Sequence, residues 1–263
     1  MSIVLKTEEE LEKMRVAGKL AADVLVMLEP HVKPGVTTEE LNTLAHEYIL
    51  DHGATPAPLN YHGFPKSICT SINHQVCHGI PGDKRLKNGD ILNIDVTVIK
   101  DGYHGDTSMM YCVGDKVPPY AKRLCDVARE CLWLGIEQVK PGNTLYDVAK
   151  AIEDHAHACG YSVVEEYCGH GLGKAFHEEP QVLHYADPAL KQIELVPGMT
   201  FTIEPMINQG RKETRLLGDK WTVITKDRKL SAQWEHSLAV TPDGYEIFTL
   251  RPSERPFLPG QHE

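Results

Sequence analysis

Four carboxylates of this chain lie in or beside apolar, β-branched runs, where an unpaired charge is expensive. Asp95 stands in Ile94-Asp95-Val96-Thr97-Val98, and Asp106 follows in Gly105-Asp106-Thr107-Ser108. Glu204 closes Phe201-Thr202-Ile203-Glu204, and Glu235, in Gln233-Trp234-Glu235-His236, precedes Leu238-Ala239-Val240. A solvated strand edge would accommodate any one of these acids, but buried strands carrying all four call for cations. Hard oxygens with one or two imidazoles suit a pair of divalent ions such as Mn, Fe, Co or Zn, and carboxylate-bridged pairs sit about 3.5–4 Å apart. His170 is the candidate imidazole, because the glycines of Cys168-Gly169-His170-Gly171-Leu172-Gly173 let the backbone approach closely and leave little side chain to block a metal. His78, in Cys77-His78-Gly79-Ile80-Pro81, and His177, in Phe176-His177-Glu178-Glu179-Pro180, stand in loop settings bounded by Gly or Pro and read as substrate contacts. The remaining histidines, including His62, His74, His104 and His236, read as structural.

The elements that must position these groups follow from turn and cap chemistry. Asp101-Gly102 is a favoured two-residue hairpin turn between alternating strands. Pairing Lys100 with Tyr103 sets Thr97 opposite Asp106 and Asp95 opposite Ser108, so both acids share one face as diagonal neighbours about 7–8 Å apart or less. A capping box, Thr7 to Glu10, opens a helix through Leu11, Met14, Ala17, Ala21, Val24, Leu25 and Leu28 that stops at Pro30. A second box, Thr37 to Glu40, opens a helix through Leu41, Leu44, Tyr48 and Ile49 that ends at Gly53.

These signals recur later in the chain. Val32-Lys33-Pro34-Gly35 returns as Val139-Lys140-Pro141-Gly142, between a helical pattern through Leu124, Ala128, Cys131 and Gly135 and another through Leu145, Val148, Ala149, Ile152 and Ala156 that stops at Gly160. Leu86-Lys87-Asn88-Gly89-Asp90-Ile91-Leu92-Asn93-Ile94-Asp95 returns as Leu195-Val196-Pro197-Gly198-Met199-Thr200-Phe201-Thr202-Ile203-Glu204. Each half reads helix, helix, strand, acid, strand, acid. The reading is an α+β fold built by internal duplication, with halves at roughly 7–115 and 119–250 of a single domain spanning 1–263 and a pseudo-twofold axis between them.

Composition narrows the class. The chain has 263 residues, and 41% hydrophobic content is enough for a core without disulfides. Its seven cysteines are scattered without a C-x-x-C, so they read as reduced thiols, mostly in the core. With 27 Lys+Arg against 37 Asp+Glu, a net −10, an all-over phosphate-binding surface and specific DNA binding are disfavoured. No signal peptide or membrane-spanning run is present, which points to the cytoplasm. There is no H-E-x-x-H, G-x-S-x-G or G-x-x-x-x-G-K-[ST], which sets aside zincins, serine hydrolases of the elbow type and P-loop enzymes.

Asp95, Asp106, His170, Glu204 and Glu235, in that order and spacing, resemble the five metal ligands of the type I methionine aminopeptidases, whose duplicated fold is called pita-bread or creatinase-like. The likeness spans essentially the whole chain and is most specific at Asn93-Ile94-Asp95-Val96, Gly105-Asp106-Thr107-Ser108, Cys168-Gly169-His170-Gly171, Phe201-Thr202-Ile203-Glu204-Pro205 and Glu235-His236. The resemblance implies two divalent ions: Asp95 chelating one, Asp106 and Glu235 bridging both, His170 and Glu204 completing a site. It also implies that His78 and His177 meet the peptide at the scissile bond and that Tyr61, Phe64, Cys69, Phe176 and Trp221 line a methionine pocket, a setting suited to an unbranched thioether. The expected reaction is removal of the N-terminal methionine of nascent chains when the second residue is small. A metal-held water attacks the first peptide bond, Glu204 shuttles its proton, and His177 with a metal stabilises the oxyanion.

The short lead before the first helix leaves no room there for the zinc-binding or polybasic extensions of eukaryotic relatives, and the lack of a long insertion between His177 and Glu204 favours type I over type II. Prolidases and proline-specific aminopeptidases use a similar ligand set but usually carry an extra N-terminal domain. A binding module that kept the fold and lost catalysis would not need all five ligands. The expected state is a monomer. The segment 211–229 holds seven Lys and Arg against three acids, beside Trp221, and reads either as a solvated hairpin or as a contact to ribosomal RNA.

Overall fold

The structure, a computed structural model, describes residues 2–257. Four helices carry most of the periodic patterns: α1 (Glu8–Leu28), α2 (Thr38–Asp51), α3 (Pro119–Ile136) and α4 (Leu145–Ala158). Both expected capping boxes form, with the Thr7 and Thr37 hydroxyls accepting from the Glu10 and Glu40 amides and each glutamate accepting in return from the N-cap amide. A third box, Thr144 with Asp147, opens α4. Met14, Ala17, Ala21, Val24, Leu25 and Leu28 form the buried stripe of α1, and Pro30 converts its end into a short 3₁₀ turn.

The hairpin pairs strand Ile91–Lys100 with strand Tyr103–Cys112 in the expected register, including Lys100 opposite Tyr103, Thr97 opposite Asp106 and Asp95 opposite Ser108. Asp101 and Gly102 both have positive φ, 51° and 80°, as the tight turn requires. Strand Ile91–Lys100 pairs on its other edge with Cys69–Ile72 and Thr55–Pro56, completing a four-stranded sheet. A five-stranded sheet orders Gly244–Ile247, His236–Thr241, Thr200–Ile203, Gly169–Gly171 and Glu178–Val182. There His236 lies opposite Ile203, so Glu235 and Glu204 sit one step beyond the last pair.

The two sheets meet at one bridge between Ser108 and Glu235. The Glu235 amide donates to the Ser108 carbonyl at 3.1 Å, and the Thr107 hydroxyl donates to the Glu235 carbonyl at 2.7 Å. The carboxylates thus gather at the seam. On either side lies an apolar core. One packs α1 and α2 on Ile68, Ile72, Leu92, Ile94, Val96 and Val98; the other packs α3 and α4 on Phe201, Ile203, Leu238 and Val240. Each such side chain contributes about 1.5–3 kcal/mol relative to exposure. Positions matched in sequence also match in backbone: Gly35 and Gly142 have φ of 93° and 90°, and isolated bridges join Thr37 to Arg85 and Thr144 to Glu194. The basic segment forms a hairpin, Thr214–Leu216 with Val223–Thr225, whose second strand pairs with Gln75–Cys77. All seven cysteines are free, four of them buried. Among the described residues no helix is long and apolar enough to cross a membrane.

Candidate active site

The strand ends and loops of both halves enclose one cavity of about 330 Å³. Every candidate ligand, peptide-contact and pocket residue of the sequence lines it: Asp95, Asp106, His170, Glu204 and Glu235, the histidines His78 and His177, and Tyr61, Phe64, Cys69, Phe176 and Trp221.

The acidic end is tightly held. His170 Nε2 lies 3.5 Å from Asp106 Oδ2 and 3.6 Å from Glu204 Oε1, and potential ligand atoms of Asp106, His170 and Glu235 all lie within 4.8 Å of one another. His170 Nδ1 is 2.9 Å from the Gly171 carbonyl, to which it can donate only as Nδ1–H, leaving Nε2 as the lone-pair nitrogen. The close backbone approach at this histidine is forced, since a Cβ on Gly169 would overlap the Thr202 carbonyl. Thr97 donates to Asp106 Oδ1 at 2.6 Å and Thr202 to Glu204 Oε1 at 2.8 Å. Gln233 Nε2 donates to Glu204 Oε2 at 3.1 Å, and the Glu204 amide donates to His184 Nε2 at 3.1 Å.

Electrostatics give the cluster a purpose. Burial, reinforced by Asp106 and Glu204, pushes the Asp95 carboxyl well above its usual range, and burial with Asp106 does the same to Glu235. Burial raises Glu204 to about 7 against the pull of His170. Burial lowers His170, but Asp106 and Glu204 outweigh it and the net shift is upward. Asp95 Oδ1 is buried with no hydrogen-bond partner among the described residues. Acids that repel one another, an orphaned carboxylate oxygen and an imidazole whose Nε2 faces two of those acids are together a donor set that fits divalent cations and that a +2 charge would relieve.

The other end is apolar and aromatic. Phe64 meets Trp221 edge-to-face at 5.1 Å, and Phe176 lies 4.8 Å from Tyr61. His78 stands in the left-handed region, φ 56°, and Gly79 after it has no room for a Cβ, which would overlap the Thr70 carbonyl. The Tyr61 hydroxyl lies 2.8 Å from His177 Nδ1; if the phenol donates, the Nε2–H is left free to donate elsewhere. Burial, then His170, lowers His177 to about 4, which keeps it neutral near pH 7.

The sequence left some neighbours unassigned. His62, read as structural, lines the cavity with its ring 4.4 Å from that of Tyr61. Thr97 was placed opposite Asp106 by the register, so its contact was within reach. Thr202 lies two residues before the Glu204 it binds, a spacing that could have flagged it, whereas Gln233 reaches Glu204 from a distant part of the chain. Nothing local marks His184, which is fully buried.

Comparison with known proteins gives the chain its family. Residues 12–242 match the model of metallopeptidase family M24. The chain is 59% identical over 253 residues to a methionine aminopeptidase of Escherichia coli strain K12, covering 95% of each. A crystal structure of methionine aminopeptidase from Rickettsia prowazekii superposes with a TM-score of 0.92 at 56% identity, covering 95% of this chain and 100% of that one. The prolidase from Pyrococcus furiosus has a TM-score of 0.72 at 21% identity, with 94% of this chain matching 65% of that one, a likeness of fold alone. The architecture is therefore the pita-bread fold, and the chain belongs to metallopeptidase family M24 and, within it, to the methionine aminopeptidases.

Proposed function

We propose that this chain is a methionyl aminopeptidase that hydrolyses the first peptide bond of polypeptides beginning with methionine and a small residue. The observation that carries the reading is the meeting of five metal-type donors, Asp95, Asp106, His170, Glu204 and Glu235, with an aromatic pocket inside one cavity. The donor set would hold two divalent ions, with Asp106 and Glu235 shared between them. Such ions, when bound, supply a water of lowered pKa and polarise the scissile carbonyl.

The protein's own groups do the rest. Glu204 takes the proton of the attacking water and passes it to the leaving amine, while Thr202 and Gln233 hold its two oxygens. His177, oriented by the Tyr61 hydroxyl, donates to the developing oxyanion, and His78 contacts the peptide on the other side. Tyr61, Phe64, Cys69, Phe176 and Trp221 enclose the methionine side chain. The substrate's free α-amino group docks at the carboxylate cluster, which makes the activity that of an exopeptidase. With His78 and His177 crowding the scissile bond, little room remains for the second side chain.

The finer reading is one catalytic domain of two duplicated halves, monomeric and cytoplasmic, acting on nascent chains and contacting ribosomal RNA through the hairpin of residues 211–229. The chemistry is tested by metal analysis together with turnover of Met-Ala-Ser, Met-Leu-Ser and Ala-Pro-Ser. The expected result is metal-dependent cleavage of Met-Ala-Ser, with a specificity constant at least about ten-fold above that for Met-Leu-Ser. Equal constants would remove the small-residue rule, and preference for Ala-Pro-Ser would favour the proline-specific branch of the fold.

A further inference from the structure

Behind the carboxylate seam lies a buried ion pair with no part in the chemistry above. Arg251 is 1% exposed and Glu254 2%. Arg251 Nε and Nη2 donate to Glu254 Oε2 and Oε1 at 2.7 and 2.8 Å, a bidentate fork, and the guanidinium also lies 5.8 Å from the Trp234 ring. Its other edge reaches both catalytic strands. Arg251 Nη1 donates to the Thr107 hydroxyl at 2.8 Å and to the Ser108 carbonyl at 3.4 Å, and Nη2 lies 3.4 Å from His236 Nε2. Thr107 directly follows Asp106, and His236 directly follows Glu235. The Thr107 hydroxyl passes the contact on to the Glu235 carbonyl. From the same segment, the Thr249 hydroxyl accepts from the Ser237 amide at 3.1 Å and lies 2.8 Å from His236 Nδ1. Ser237 in turn donates to the Asp106 carbonyl.

Stability alone gives no reason for this arrangement, because a buried ion pair can often be replaced by packed apolar side chains at no loss. An arginine whose fork is fixed by Glu254 does something an apolar side chain cannot: it locks one strand of each half, one residue past an acid, in a single relative position. We propose that Arg251 is a positioning residue for the metal site, fixing through Thr107 and His236 the relative placement of Asp106 and Glu235 and thereby the affinity and geometry of the cation site they share. The inference rests on the reading of those two acids as bridging ligands.

The test uses metal-free protein titrated with Co²⁺ under anaerobic conditions and followed by visible absorption, with thermal unfolding and steady-state kinetics measured in parallel. The variants are Arg251→Lys and the paired change Arg251→Met with Glu254→Met, which leaves no lone buried charge. Altered partners behind metal ligands typically cost about 10–100-fold in metal affinity, so both variants should bind Co²⁺ at least about ten-fold more weakly, with altered visible bands. The kcat should fall while KM for Met-Ala-Ser stays near its original value. A merely structural role would move the unfolding temperature only. The proposal is overturned if folded variants bind Co²⁺ with the original affinity and spectrum, or if neither variant folds. Asp106→Asn separates the two readings: if it too binds Co²⁺ normally, the ligand assignment itself has failed.

Discussion

A proton and a divalent cation compete for the same carboxylate oxygens, and burial decides how strongly each is held. Glu204 is raised by burial from 4.5 to about 7, and Asp95 and Glu235 shift in the same direction. A carboxyl whose folded pKa exceeds its unfolded value adds stability below the unfolded value and loses it as pH rises through the folded one. Between about pH 4.5 and 7 the metal-free site therefore becomes a growing liability, and cation binding removes it. Mn²⁺ should accordingly raise the melting temperature more at pH 7.5 than at pH 5.5; equal increments at the two values would contradict the cation reading. Replacing one of the two acids proposed to bridge by its amide, Asp106→Asn or Glu235→Gln, relieves repulsion and should leave the fold intact by circular dichroism. Turnover should fall at least about 100-fold, because on the proposed reading a ligand charge common to both ions is lost. Near-original turnover with added Mn²⁺ or Co²⁺ would show that these acids do not bridge. The five donors were legible because acids in β-branched runs and a histidine between glycines are anomalies of type against context. His184 and Arg251 were not, since their roles depend on what folds against them from distant parts of the chain.

Between elements, α1 packs backbone to backbone against the hairpin that carries Asp95 and Asp106. Gly105 precedes Asp106, and a Cβ there would overlap the backbone of Ala17 and Gly18. Gly105→Ala should push α1 away from the strand that carries Asp106, costing about 1–3 kcal/mol in urea unfolding and weakening metal binding at the neighbouring acid. An alanine variant with unchanged stability and affinity would mean that the helix position is not set there. The cap of α1 gives a pH signature of opposite sign. Thr7's amide, then the Tyr103 hydroxyl, lower Glu10 from 4.5 to about 2, so its contribution is full above pH 4.5 and is lost as pH falls toward 2. Glu10→Gln should therefore be less stable than the parent at pH 6, and the gap should close on acidification; a gap that stayed constant would assign the cap no charge-dependent part. Capping boxes and the Asp101-Gly102 register were legible because each is decided within a few residues. The Ser108–Glu235 bridge was not, because it joins strands from different halves and no turn residue specifies their register.

At the scale of the whole molecule, the proposed ribosome contact has to be made by a chain of net charge −10. A local excess of positive charge lies on the 211–229 hairpin, where Lys212, Arg215, Lys220, Lys226, Arg228 and Lys229 are all exposed. Part of that charge is already engaged, since Lys212 pairs with Glu165 at 2.6 Å and Arg228 reaches His74. The hairpin is also rigidly seated: its second strand pairs with Gln75–Cys77, and the Asp219 carboxylate accepts from the Trp221 and Thr222 amides. Trp221 is thus at once a wall of the cavity and a neighbour of the basic surface, so docking through the hairpin would bring the cavity close to the RNA-bound face. Each cation that neutralises a phosphate releases counterions, and the attraction falls steeply with salt. Changing Lys212, Arg215, Lys220 and Lys226 together to Glu should abolish most co-sedimentation with ribosomes at low salt and leave turnover of Met-Ala-Ser within about two-fold, as these side chains lie outside the cavity lining. Raising salt should reproduce the loss with the unaltered protein. Undiminished co-sedimentation of the charge-reversed protein would show that the hairpin is a solvated surface and that any ribosome contact lies elsewhere.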